Sequence, residues 1–344
     1  MANARVNELD LLRFFAAFAV VFFHYSFRGY TADDMSIMPY PILASVFKYG
    51  YLGVELFFMI SGFVILMTAA NGNLRNFIIS RVVRLYPAFW ACCTLTFLLT
   101  IAIGEPRYTA TISQYLINMT MLSGFIGVSP IDGAYWSLFL EIRFYGLVAI
   151  VLLINRIHQA EIFIVIWLIA SFALSIWSIS KLHYLLIVDY SAYFIAGATY
   201  FLIWSQGLSI SRIIVIVSSW LLAMFLSISR LKYFESHYNV FMNNYIVGSI
   251  ITAFFVVMLL ISLQRTGFIG RSRWQIAGVL TYPLYLLHQN IGYMIFNLAY
   301  PMINSHILFW GTIVIALLSA YSVHLLIEKP FSPFMKAALK VLIK

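Results

Sequence analysis

The sequence predicts an all-α fold: a polytopic membrane helix bundle of about ten transmembrane helices, with both termini cytoplasmic. Three observations predict it. Of 344 residues, 63% are hydrophobic and only 10% are charged, whereas a soluble domain carries about a quarter charged residues. Long apolar runs recur along the whole chain, whose mean hydropathy is +0.93. The basic residues stand between those runs, and more of them fall on one side than on the other. A chain this apolar cannot cover a water-facing surface, so most of its exterior faces lipid. Length alone suggests two soluble domains. Divided into spans of roughly 20 residues each, it reads as one transmembrane domain over 1–344.

The apolar windows fall at 11–28, 50–70, 86–103, 135–154, 161–180, 184–204, 210–229, 242–263, 275–299 and 306–327. The first follows a polar N-terminus carrying Arg5. Arg28, Gly29 and Tyr30 come after it rather than a small-residue cleavage site, which predicts a retained helix and not a signal peptide. The third holds the adjacent Cys92 and Cys93, a spacing that offers neither a disulfide framework nor a metal site. No metal is expected. The connection 104–134, about 30 residues with Pro106, Asn118, Pro130 and Gly133, is expected to hold a small lid or half-helix. The sixth span carries Asp189 within it, and the ninth carries Pro283. No soluble domain, low-complexity tract or internal repeat interrupts the pattern.

The net charge of +9 does not indicate nucleic acid, because the cations flank apolar runs and orient the chain against the membrane. With the N-terminus inside, 14 Lys and Arg residues, from Arg5 to Lys344, fall in cytoplasmic segments. Six fall outside, and Arg143 lies within a span. That asymmetry predicts both termini inside and an even number of helices.

Charge inside a membrane is costly, so each intramembrane ionisable group is a functional candidate. The set is Arg13, His24, Glu55, Glu141, Arg143 and His288. Arg13 and His24 are eleven residues apart, about 20° from the same helix face and about 16 Å along the axis. Arg13 reaching to lipid phosphates, with His24 at the outer helix end, accounts for the pair equally well. Glu141 and Arg143 are about 200° apart, so each needs a partner on another helix. A carboxylate such as Glu141 can orient an imidazole or lock two helices as an ion pair. Arg81 and Arg84, three residues apart with no acid between 75 and 84, can grip a phosphate or simply obey the positive-inside rule. Tyr285 and His288 share a helix face beyond Pro283, which suits a helix lining a cavity as well as a structural histidine.

Together these segments resemble the acyltransferase-3 family of membrane O-acyltransferases. Arg13 through His24 matches its first-helix pattern, and Gly53 to Phe63 its second-helix signature. Arg81-Val82-Val83-Arg84 matches its Arg-x-x-Arg element. Trp136-Ser137-Leu138 through Glu141, with Phe144-Tyr145, matches its Trp-Ser-Leu block. Tyr282 to His288 and the closing Glu328-Lys329-Pro330-Phe331 complete the order. Glu55 stands where the family often has Asp, and Arg143 occupies a variable slot.

The resemblance implies transfer of an acyl group, usually acetyl, from cytoplasmic acyl-coenzyme A to a hydroxyl of a cell-surface polysaccharide or lipid-linked sugar. It implies a stand-alone multi-pass protein of a bacterial inner membrane, with membrane lipid, acyl-CoA and a carbohydrate or glycolipid acceptor as its partners. His24 is then the general base and Glu141 orients it or holds the acceptor. Arg13, Arg81 and Arg84 bind the donor's phosphates. Ser61, Tyr285 or His288 donates to the developing oxyanion. The rival from another class is a glycolipid transporter or flippase, which shares the span count and buried charges but commonly carries paired repeats. A structural subunit of a glycan-synthesis complex is the third reading.

Overall fold

The computed structural model describes residues 6–177 and 179–342. Arg5 and Lys344, counted in the charge asymmetry, lie outside the described residues. Among those described, all regular structure is helical, and nine helical segments are long and apolar enough to cross a membrane. The main helices are α1 (Asn7–Phe22), α2 (Gly53–Ala69), α3 (Leu74–Ile103), α4 (Trp136–Leu153), α5 (Ala160–Ile176), α6 (Val188–Gln206), α7 (Ile210–Tyr238), α8 (Asn244–Ser262), α9 (Gln275–Leu287), α10 (Gln289–Ala299), α11 (Ser305–Val323) and α12 (Lys329–Leu342). Two stretches wind as π-helix: Phe23–Arg28, which continues α1, and His324–Glu328, which joins α11 to α12. The chain divides into two compact units.

The first unit comprises residues 6–13, 52–77 and 140–274. Its core helix is α6, buried along almost its whole length. Helix α2 crosses it so closely that a side chain at either of two glycines would strike the other helix's backbone. A Cβ at Gly62 would collide with the Phe194 carbonyl, and one at Gly197 with the Met59 carbonyl. In lipid, helices gain little from hiding apolar side chains, and such small-residue crossings supply dispersion contact instead. On α5, Ile162, Ile166 and Ile169 are exposed at helical spacing and form a lipid-facing stripe. The sixth apolar segment is not one continuous helix. A short helix, Ser180–Leu185, precedes α6, and Ile187 between the two takes a left-handed conformation (φ 55°). Asp189 therefore sits in the first turn of α6. More than half exposed, it faces His183 at 3.8 Å and Arg230 at 4.0 Å, and the helix N-terminus favours its charge.

The second unit comprises residues 14–51, 78–139 and 275–342. Pro87 lies inside α3 and cannot donate to the carbonyl four residues earlier. Ser332 Oγ meets that carbonyl, of Val83, at 3.4 Å. The connection 104–134 contains the short helix Ile112–Asn118, capped by Thr111, whose side chain accepts from the Gln114 N–H. Buried Asn118 stitches the connection closed. Its Nδ2 donates to the Gln114 and Ser129 carbonyls, and its Oδ1 accepts from the Ile131 N–H.

The expected ninth span, 275–299, is two shorter helices, α9 and α10, with His288 between them. Side chains take over the backbone groups that the break releases. The Tyr285 carbonyl meets His288 Nδ1 at 2.8 Å, and the Leu286 carbonyl accepts from Tyr135 Oη at 3.4 Å. The Asn290 N–H donates to Asp132 Oδ2 at 2.9 Å. Non-helical backbone at membrane depth persists only where it is re-satisfied in this way.

Candidate active site

In the second unit the π-helical end of the first span and the α9–α10 break bring two imidazoles together. His24 Nδ1 lies 2.9 Å from His288 Nε2, and both residues are buried, at 5% and 0% exposure. A π turn inserts a residue and widens the helix, a distortion frequent at functional sites. Neighbouring tyrosines anchor both backbones. Tyr25 Oη donates to the His288 carbonyl at 2.7 Å, and Tyr293 Oη donates to the His24 carbonyl at 3.2 Å. The other nitrogen of His24, Nε2, has the Arg28 guanidinium 3.4 Å away. Arg28 Nε in turn holds Asp33 Oδ2 at 3.0 Å. Tyr285 packs its ring 5.6 Å from that of His288, and its hydroxyl lies 2.7 Å from Ser137 Oγ.

Arg28 and Asp132 escaped the sequence reading. Arg28 looked like an ordinary flanking cation, although its position four residues after His24 was an available signal. Asp132 lies in the connection 104–134, where no motif singles it out. It is completely buried, and its Oδ1 accepts from the Ala134 N–H at 2.8 Å while Oδ2 takes the Asn290 N–H. Burial pushes its carboxyl up to about 7, opposed by those two N–H groups and by the Arg28 charge. Its role is to cap the interrupted helix, and no local pattern announces that. Gln289, also fully buried in the break, has neither amide atom hydrogen-bonded.

Arg81 and Arg84 share α3. Arg84 is exposed and lies 3.9 Å from Glu328, whose other oxygen meets His324 Nδ1 at 2.8 Å in the second π stretch. Although 75–84 contains no acid, a distant one answers Arg84. Arg81 Nε donates to Ser80 Oγ at 3.1 Å.

The remaining sequence candidates belong to the first unit. Ser61 Oγ donates to Glu141 Oε1 at 2.5 Å, so this carboxylate is engaged across helices by a hydroxyl, while the group on His24 Nδ1 is His288. Arg143 donates to the Tyr184 carbonyl and stacks over that ring with its guanidinium carbon 4.0 Å from the centroid. Glu55 is buried in the first turn of α2, and Arg13 is half-buried on α1.

Fold and site thus define a polytopic helical membrane protein with a buried histidine pair between a π turn and a broken helix. The chain belongs to the acyltransferase-3 family, whose acyltransferase domain matches residues 6–328. It is 29% identical over 160 residues to Nodulation protein 10 of Rhizobium leguminosarum bv. viciae, covering 40% of this chain and 42% of that protein. It is 28% identical over 177 residues to an O-acetyl transferase of Shigella phage Sf6, covering 47% of this chain and 50% of that one. The matches therefore span half the length of these relatives or less. No solved structure matches the chain.

Proposed function

We propose that this protein is a membrane O-acyltransferase that moves an acetyl or other acyl group from cytoplasmic acyl-CoA to a hydroxyl of a cell-surface polysaccharide or lipid-linked sugar. The observation that carries this reading is the buried His24–His288 pair, set in a chain of the acyltransferase-3 family. His24 is the general base. Its Nε2 takes the acceptor's hydroxyl proton as that oxygen attacks the thioester carbonyl carbon. The tetrahedral oxyanion collapses, the carbon–sulfur bond breaks, and the thiolate leaves with the proton from Nε2. The products are an ester and free coenzyme A.

Tyr285, buried and hydrogen-bonded through its hydroxyl, is assigned to the oxyanion. Arg81 and Arg84 are assigned to the donor's diphosphate and 3′-phosphate, with Glu328 exchanging Arg84 for the phosphate. Arg13, Ser61 and Glu141 belong to the first unit, and no step of the reaction is assigned to them. The protein operates in a bacterial inner membrane with both termini cytoplasmic and needs no metal.

Membrane vesicles from producing cells, supplied with labelled acetyl-CoA, should transfer label into a base-labile ester on glycan. Movement of unmodified glycolipid with the label left on coenzyme A would overturn the reading in favour of a transporter. In the same vesicles Arg84→Ala should raise the KM for acetyl-CoA about tenfold while kcat changes little, because the lost contact is made equally in ground and transition states.

A further inference from the structure

The histidine pair has a direction. At one end, His288 Nδ1 lies 2.8 Å from the Tyr285 carbonyl oxygen. A carbonyl only accepts, so the proton in that contact is on Nδ1. At the other end, His24 Nε2 faces the Arg28 guanidinium at 3.4 Å. A guanidinium only donates, so the nitrogen facing it carries a lone pair. Between the ends, His288 Nε2 and His24 Nδ1 share one proton across 2.9 Å.

Among the described residues neither ring hydrogen-bonds to a carboxylate, and both are buried. An imidazolium at either position would be a buried charge without an acid to answer it, which is costly. Two neutral rings between a fixed acceptor and a fixed donor admit one arrangement. Arg28 donates to His24 Nε2, His24 Nδ1–H donates to His288 Nε2, and His288 Nδ1–H donates to Tyr285.

We propose that His288 is a positioning residue that holds His24 in the tautomer protonated at Nδ1, leaving Nε2 unprotonated to take the acceptor's hydroxyl proton. The inference rests on the reading of His24 as general base. It replaces the oxyanion role expected for His288 with a different one, and it explains the broken helix. If α9 continued unbroken, the Tyr285 carbonyl would accept the Gln289 N–H and would not be reserved for the His288 ring. An unrestrained imidazole can carry its proton on either nitrogen, and with the proton on Nε2, His24 cannot act as base there. In the reaction the acceptor hydroxyl displaces Arg28 from the Nε2 lone pair. As His24 takes up the proton, its Nδ1–H bond to His288 becomes charge-assisted and strengthens. His288 does for His24 what a carboxylate does in a hydrolase triad, but as a neutral acceptor.

Three variants separate positioning from structure, tested in the full chain at matched membrane abundance. His288→Ala removes the acceptor. His288→Gln can present an amide oxygen near the place of Nε2. His288→Asn keeps a donor toward Tyr285 but does not reach His24. Nitrogen NMR of histidine-labelled protein in nanodiscs reports the tautomer, with His24→Asn identifying the signal. Radiolabelled acetate incorporated as base-labile ester into cell-surface glycan reports activity.

The expected result is a His24 signal protonated at Nδ1 in the unmodified protein and in His288→Gln, but not in His288→Ala or His288→Asn. Ester formation should fall roughly a hundredfold in the alanine and asparagine variants, less than the loss from a misplaced tautomer in a charged triad, and recover to within about tenfold in the glutamine variant. A His24 tautomer unchanged in His288→Ala would overturn the proposal. So would glutamine, asparagine and alanine variants that lose equal activity. Full activity in His24→Asn would instead overturn the base assignment itself, and the tautomer measurement would still decide what His288 does to the ring.

Discussion

Replacing His24 by asparagine is expected to lower acyl transfer roughly a thousandfold, within the range for a lost general base, while leaving the protein folded. Asparagine is the informative substitution because its amide nitrogen can occupy the place of Nδ1 and donate to His288 Nε2, which sits 2.9 Å from that atom. The buried hydrogen bond is then kept, and the nitrogen that takes the proton is lost. His24→Ala removes both and leaves a buried acceptor without its donor, a loss of about 1–3 kcal/mol of stability. Comparing the two at equal membrane abundance separates chemistry from folding. Near-normal ester formation in the asparagine variant would end the assignment of His24 as the base.

The second large effect is expected far from any chemistry. Gly197→Val should cost the first unit about 3 kcal/mol and markedly lower both the folded protein recovered from membranes and its melting temperature in detergent. The Cβ alone would collide with the Met59 carbonyl of α2, and that atom is backbone, which cannot rotate away. Helices α2 and α6 would have to separate, and the reciprocal contact of Gly62 with Phe194 would open with them. Gly146→Ala is the control. It lies on exposed α4 backbone with nothing within 4 Å of the added carbon, and alanine favours helix by about 1 kcal/mol. Equal melting temperatures for the Gly197→Val and Gly146→Ala variants would refute the close-crossing account.

The two effects differ in how far each was readable from the chain. His24 was marked by its type, since an imidazole in an apolar run is costly and invites a reason. His288 was marked by the same argument together with Pro283. Gly197 was not marked, because a glycine inside an apolar run has no distinctive pattern until its neighbour is known. Arg84 illustrates the reverse failure. Its segment holds no acid, yet Glu328 stands 3.9 Å away, supplied by a residue more than two hundred positions later.

By itself the sequence determined the membrane class, the helical fold and nearly all of the spans, because lipid demands about twenty apolar residues wherever the chain crosses and leaves polar side chains conspicuous. Only the tertiary structure decided which of those side chains meet. The pairing of His24 with His288, of Ser61 with Glu141, and of Asp132 with the end of a broken helix each joins residues at least 80 positions apart. The ninth span breaks where it does because Tyr135 and Asp132, from a distant connection, satisfy the backbone groups released there. Periodicity records which face of a helix is apolar. Hydrogen-bond partners depend on distances across the fold, and these emerge only when the helices are packed.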